Sequence, residues 1–288
     1  TALHIAAENN SKETAELLIS HGANINEKDE DGKTALHIAA ENNSKETAEL
    51  LISHGANINE KDEDGKTALH IAAENNSKET AELLISHGAN INEKDEDGKT
   101  ALHIAAENNS KETAELLISH GANINEKDED GKTALHIAAE NNSKETAELL
   151  ISHGANINEK DEDGKTALHI AAENNSKETA ELLISHGANI NEKDEDGKTA
   201  LHIAAENNSK ETAELLISHG ANINEKDEDG KTALHIAAEN NSKETAELLI
   251  SHGANINEKD EDGKTALHIA AENNSKETAE LLISHGAK

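Results

Sequence analysis

The chain has 288 residues, a formal net charge of −33 and 34% hydrophobic residues, and it lacks Phe, Trp, Tyr, Cys, Met and Pro. Val, Gln and Arg are missing as well, so eleven residue types make the whole sequence. An average this acidic and this poor in large apolar side chains, with Leu and Ile totalling 53 residues, is that of a disordered chain. The lack of cysteine excludes disulfides, thiol nucleophiles and cysteine-based zinc sites. The acidity argues against nucleic acid, whose phosphates need Lys and Arg. No apolar run approaches the ~18 residues of a membrane span and no signal-peptide pattern opens the chain. The chain therefore reads as soluble, without a membrane partner, and as cytoplasmic if natural. Without an initiator Met, it reads as a segment or a trimmed chain.

The average conceals a period of 33 residues. The unit TALHIAAENNSKETAELLISHGANINEKDEDGK begins at Thr1 and recurs as residues 34–66, 67–99, 100–132, 133–165, 166–198, 199–231 and 232–264, with a partial copy over 265–288. Lys288, where other copies carry Asn, is the single substitution. Each full unit has three Lys against seven acids, a charge of −4, so the acidity belongs to the unit and is multiplied by repetition. The expected organisation is one array over residues 1–288.

Within the unit, Thr1 is placed to cap a first helix, because its hydroxyl can accept from an unpaired N–H. Leu3, Ala6 and Ala7 then fall at i, i+3 and i+4 on one apolar face, with Ile5 beside it. Asn9 and Asn10 end this helix, since Asn tolerates the left-handed conformation that turns the chain. Ser11 is the expected cap of a second helix, and Glu13 and Glu16 favour its positive N-terminal end. Ala15, Leu18 and Ile19 repeat the apolar stripe, widened by Leu17, and Gly22 suits the positive φ of a helix C-terminus. Asn24 to Lys33 is a polar loop with one apolar anchor, Ile25, and a turn signal at Asp31-Gly32. Each helix is about ten residues, below the ~12–15 at which an isolated helix becomes marginal. Stacked identical units would bury both sides of every internal copy and make a continuous core.

These residues resemble the ankyrin repeat, and the resemblance covers the whole chain. The family's T-P-L-H-x-A-A motif stands here as Thr1-Ala2-Leu3-His4-Ile5-Ala6-Ala7, followed by Leu17-Leu18, Gly22-Ala23, Ile25-Asn26, Asp29 and Gly32. Ala2 replaces the usual Pro, and Asn10-Ser11 the usual Gly-His between the helices. The resemblance implies an all-α solenoid of antiparallel helix pairs, stacked into a curved superhelix with loops projecting to one side. It also implies that Thr1 and His4 make structural hydrogen bonds between neighbouring units. The identity of the copies reads as a consensus-designed or idealised array; the alternative is a tract of a natural ankyrin protein with an unknown partner.

No chemistry stands out from this pattern. His4 and His21 lie 17 residues apart without H-x-x-x-H spacing, which excludes a helical zinc pair. Ser20, His21 and Asp29 imitate a triad, but no nucleophile elbow or oxyanion device accompanies them, and no enzyme is expected. Glu27, Asp29, Asp31 and Gly32 match positions 1, 3, 5 and 6 of an EF-hand, yet Ile38 stands where a bidentate Glu is required. Asn9-Asn10-Ser11 is a formal glycosylation sequon that reads as turn chemistry. No cofactor, metal or catalytic residue is therefore predicted.

By resemblance, a partner-binding face would hold Glu8, Asn9, His21, Glu30, Asp31 and Lys33 in each copy. In the central copy these are Glu140, Asn141, His153, Glu162, Asp163 and Lys165. The face lacks the Trp, Tyr and Arg of binding hot spots, so its expected partner is basic and held by charge. The ends carry no polar capping repeat, which predicts head-to-tail self-association through complementary apolar faces.

Overall fold

The computed structural model describes residues 1–288 and contains eighteen α-helices and no strand. They run as α1 (Ala2–Glu8), α2 (Lys12–Ser20), α3 (Ala35–Glu41), α4 (Lys45–Ser53), α5 (Ala68–Glu74) and α6 (Lys78–Ser86), then in 33-residue steps to α17 (Ala266–Glu272) and α18 (Lys276–Ser284). The helices form two compact units, one of residues 1–137 and 145–155, the other of residues 138–144 and 156–288. Within each unit the first helix of a copy packs on its own second helix and on the first helix of the next copy. Second helices likewise pack on second helices. The fold is an all-α ankyrin solenoid.

The apolar stripes read from the sequence make the core. Leu36, Ala39, Ala40, Ala48 and Leu51 are buried in the second copy, and the equivalent residues are buried in the third. Each large apolar side chain removed from water contributes roughly 1.5–3 kcal/mol, so the two fully buried leucines of an internal copy supply a substantial part of what offsets the lost chain entropy. The dependence on neighbours shows at Ile5, which is 59% exposed, whereas Ile71 at the same position of the third copy is 3% exposed.

Each first helix begins with a Thr–His pair. The hydroxyl of Thr34 accepts from the His37 backbone N–H, while the Thr34 N–H donates to His37 Nδ1 at 3.0 Å, a capping box in which His replaces the usual Glu. Since Nδ1 accepts, the ring proton sits on Nε2, which donates to the Lys66 carbonyl at 3.0 Å. The same carbonyl takes the Asp62 N–H at 2.9 Å. One neutral imidazole thus joins the start of a first helix to the loop that leads into the following copy.

The turn between the helices departs from expectation at Ser11. The Asn residues end the first helix as predicted, with Asn10 at φ 52 and Asn43 at φ 53. Ser11 and Ser44 occupy the N-cap position, but neither side chain makes a cap hydrogen bond. Ser44 lies at φ −83, ψ 72, short of the extended conformation typical of an N-cap. The N–H that it would serve, on Thr47, is already taken by Asn10 Oδ1 of the preceding copy at 3.1 Å. Asn10 Oδ1 also accepts from the buried Thr47 hydroxyl at 3.0 Å, and its Nδ2 donates to Glu46 at 3.0 Å. From the second copy on, the second helix is therefore capped by the copy before it.

The buried imidazoles set a pH dependence. Burial lowers the pKa of His37, His70, His103, His169, His202 and His235 below the ordinary 6.5, against the opposing pull of the carbonyl acceptors and of the nearby Asp. Below about pH 6.5 the unfolded chain takes up protons on these rings and the folded chain does not, so stability is full above that pH and is lost as pH falls toward the folded pKa. The falling net charge acts in the opposite direction by easing self-repulsion, but it breaks no hydrogen bond. Thermal melts are expected to show a lower Tm at pH 5 than at pH 7.5; a higher Tm at pH 5 would contradict this balance.

Candidate functional site

The loop between copies is built around one carboxylate. Asp29 Oδ1 accepts the N–H groups of Asp31 and Lys33, each at 2.9 Å, while the Asp29 N–H donates to the Lys33 carbonyl. Desolvation would raise the Asp29 pKa, but the two backbone donors, together with the charges of His4 and Lys33, hold the carboxyl below its ordinary value. Gly32 completes the turn at φ 78, and a Cβ there would stand 2.8 Å from the Glu63 nitrogen of the next loop. That close approach carries the hydrogen bond from Glu63 N–H to the Asp31 carbonyl, 3.1 Å, which repeats from Glu96 to Asp64. Successive loop tips within a unit are thus joined backbone to backbone.

The residues expected on a binding face divide into several sets. Glu140, Asn141, His153, Glu162 and Asp163 are exposed and Lys165 is half-buried. The Lys33 and Glu8 positions meet across copies as ion pairs, Lys66–Glu74 at 3.7 Å and Lys165–Glu173 at 3.3 Å. The Asn9 position closes its own helix, with Nδ2 donating to the Ile5 carbonyl at 3.1 Å and Asn42 repeating this at 3.0 Å. Glu30 and Asp31 stand at the loop tip as a carboxylate pair. His153 is set apart: it lines a groove between second helices, beside Glu148 and Leu149.

The tips gather carboxylates from successive copies. Desolvation and the neighbouring carboxylates of Asp31, Asp64 and Asp62 push the Glu63 pKa up, and Asp163, Asp196 and Asp194 do the same beside Glu195. The lysines of this edge are engaged elsewhere: Lys28 pairs with Glu60 of the next copy at 2.7 Å, and Lys61 with Glu93 at 2.7 Å. Such exposed pairs contribute ~0–1 kcal/mol each, so they set where the charge is neutralised more than how stable the fold is.

The apparent chemical motifs resolve into structure. Ser20 Oγ donates to the Leu17 carbonyl at 2.8 Å, and His21 Nδ1 lies 2.9 Å from the same oxygen. Nδ1 thus carries a proton and is no base toward Ser20. The Asp29 oxygen that an EF-hand would offer to a cation is occupied by backbone amides, and no group of three or more His, Asp or Glu is disposed to hold a metal. No helix is long and apolar enough to cross a membrane.

Two residues that hold the copies together went unread in the sequence. Thr47 gave no signal, because a buried Thr on a short helix looks like a filler; its role appears only when Asn10 is set beside it. Asn26 is the other, its Oδ1 accepting the Asn57 N–H of the next copy at 2.9 Å.

Paired short helices, neighbour-to-neighbour packing and a Thr–His cap at every copy define a helical repeat protein of the stacked type. The family model for ankyrin repeats in sets of three copies matches residues 3–95, 69–161, 124–194, 156–227 and 220–288, and the chain belongs to the ankyrin-repeat family. Repeats of this family generally mediate protein–protein interaction without catalysis. No curated protein matches the chain significantly.

Proposed function

We propose that the chain is a non-catalytic scaffold whose loop tips and first-helix ends hold a basic protein partner by charge. The observation that carries this reading is the carboxylate pair at each tip, Glu162 and Asp163 in the central copy, repeated at the period of the array while the neighbouring lysines pair with other acids. Asn141, Glu140 and Lys165 would flank such a partner, and His153 would touch it only if it reached the second helices. With no aromatic residue or Arg to anchor it, the contact gains more in association rate than in affinity and weakens with salt. The test is capture of a lysine-rich protein at low and at physiological salt. Capture should be strong only at low salt, and neutralising the tips (Glu→Gln at Glu30 and Asp→Asn at Asp31 in every copy) should reduce it several-fold. Salt-independent capture, or capture unchanged by those substitutions, would refute the reading.

The identity of the copies supports a consensus or idealised array over a tract of a natural protein, because drift at exposed positions costs little stability and nothing here has drifted but Lys288. Flanking sequence made of diverged repeats would argue the other way. A polypeptide of these 288 residues also presents Ile5 and Leu17 at 59% exposure and Ile283 at 60%, where internal copies bury or half-bury the same positions. This supports head-to-tail stacking, a contact that need not close. Light scattering over a concentration series should show mass rising with concentration and with salt, which screens the −33 charge. A strict monomer at high concentration would sink that part of the proposal.

A further inference from the structure

A second surface, separate from the loop tips, repeats along the second helices. Between one second helix and the next lies a groove of about 490 Å³, lined by Lys177 and Glu181 of one copy and by Glu211, Glu214, Leu215 and His219 of the next. The equivalent groove of about 450 Å³ has Lys111, Glu115, Glu145, Glu148, Leu149 and His153. A third, about 180 Å³, presents Lys12, Glu46, Glu49 and Leu50. The first two set three carboxylates against one ammonium, and the third sets two against one. Leu215 and Leu149 are half-buried where Leu216 and Leu150 are fully buried, so the two larger grooves have an apolar floor still in reach of solvent. Among the carboxylates, Glu211 accepts from Asn175 Nδ2 at 2.7 Å, which, with its own N–H at the helix N-terminus, holds its pKa below the ordinary value.

A long cationic side chain fits this combination. Its methylenes can lie on the leucine while its charged head reaches the glutamates, as Lys and Arg do wherever apolar and acidic surface adjoin. Packed helices stand roughly 8–10 Å apart, and an extended segment in the polyproline II conformation has three residues per turn and advances about 3.1 Å per residue, so every third side chain returns to the same face about 9 Å further on and falls on a successive groove. We propose that the grooves between second helices bind extended segments of a partner protein that carry Lys or Arg at every third position, one cation to a groove. The loop tips repeat at the same step but have no such floor for the methylenes, so substitution at the two surfaces, and not spacing alone, separates them.

The test is fluorescence anisotropy with two labelled peptides of identical composition, one with Lys at every third position between Ser and Ala, the other with the same lysines in one block. The spaced peptide should bind about tenfold tighter, since each further groove engaged adds an intramolecular contact. Binding should fall several-fold on Glu→Gln substitution at Glu16 and its equivalents (Glu181→Gln and Glu214→Gln among them), with helicity unchanged by circular dichroism. It should persist on Glu→Gln substitution at Glu30 and its equivalents (Glu162→Gln and Glu195→Gln among them), which removes nearly the same charge from the tips. Equal affinity for the two peptides, equal loss in both variants, or loss confined to the tip variant would each overturn the proposal. The last of these would leave the loop-tip reading standing, so the two surfaces are judged separately.

Discussion

The neutral imidazole at the head of each first helix is the joint on which the fold depends. His37 accepts from Thr34 on one side and donates to the Lys66 carbonyl on the other, so one ring caps a helix and fixes the loop that delivers the next. It can do both only while uncharged, because the capping bond needs a lone pair on Nδ1. The Asn10 clamp on Thr47 makes the same demand in the other direction, satisfying the start of a second helix from the copy before it. Leucine burial supplies the larger free energy, but non-directional packing would tolerate sliding of one copy on another. These hydrogen bonds fix the register.

Register in turn decides where the charge lies. With copies aligned, Lys28 and Lys33 positions meet acids one copy on, as in Lys28–Glu60 and Lys66–Glu74, and the excess of carboxylates is left at the tips and along the second helices. A chain with the same composition but no register would carry its −33 diffusely. Here the negative potential is arranged in rows with a regular step, and that step distinguishes a surface able to read the spacing of cations from one that merely attracts them.

Much of the fold was legible in the unit itself. The i, i+3, i+4 stripes gave both helices, Asn10 gave the left-handed turn and Gly32 the tight loop, because each rests on local stereochemistry within a few residues. Ser11 misled for the same reason: as an isolated residue it is a good N-cap, yet its backbone, like that of Ser44, stops short of the extended conformation, and from the second copy on the N–H it would serve is taken by Asn Oδ1 of the copy before. Thr47 and Asn26 were invisible, since their partners lie 37 and 31 residues away. The candidate face was legible as exposed polar positions, but its division into ion pairs, tips and His153 was not, because side chains adjacent in the unit point to different neighbours. The composition argument failed outright, as an average cannot register that every leucine recurs in phase.

The central claim is that stability resides in the contacts between copies and not within any one. Urea unfolding of arrays of one, two, three and four copies measures this directly. A single 33-residue copy should be unstructured, and each added copy should raise both the unfolding free energy and its urea dependence by a constant step. A helical single copy, or stability that does not grow with copy number, would contradict the account.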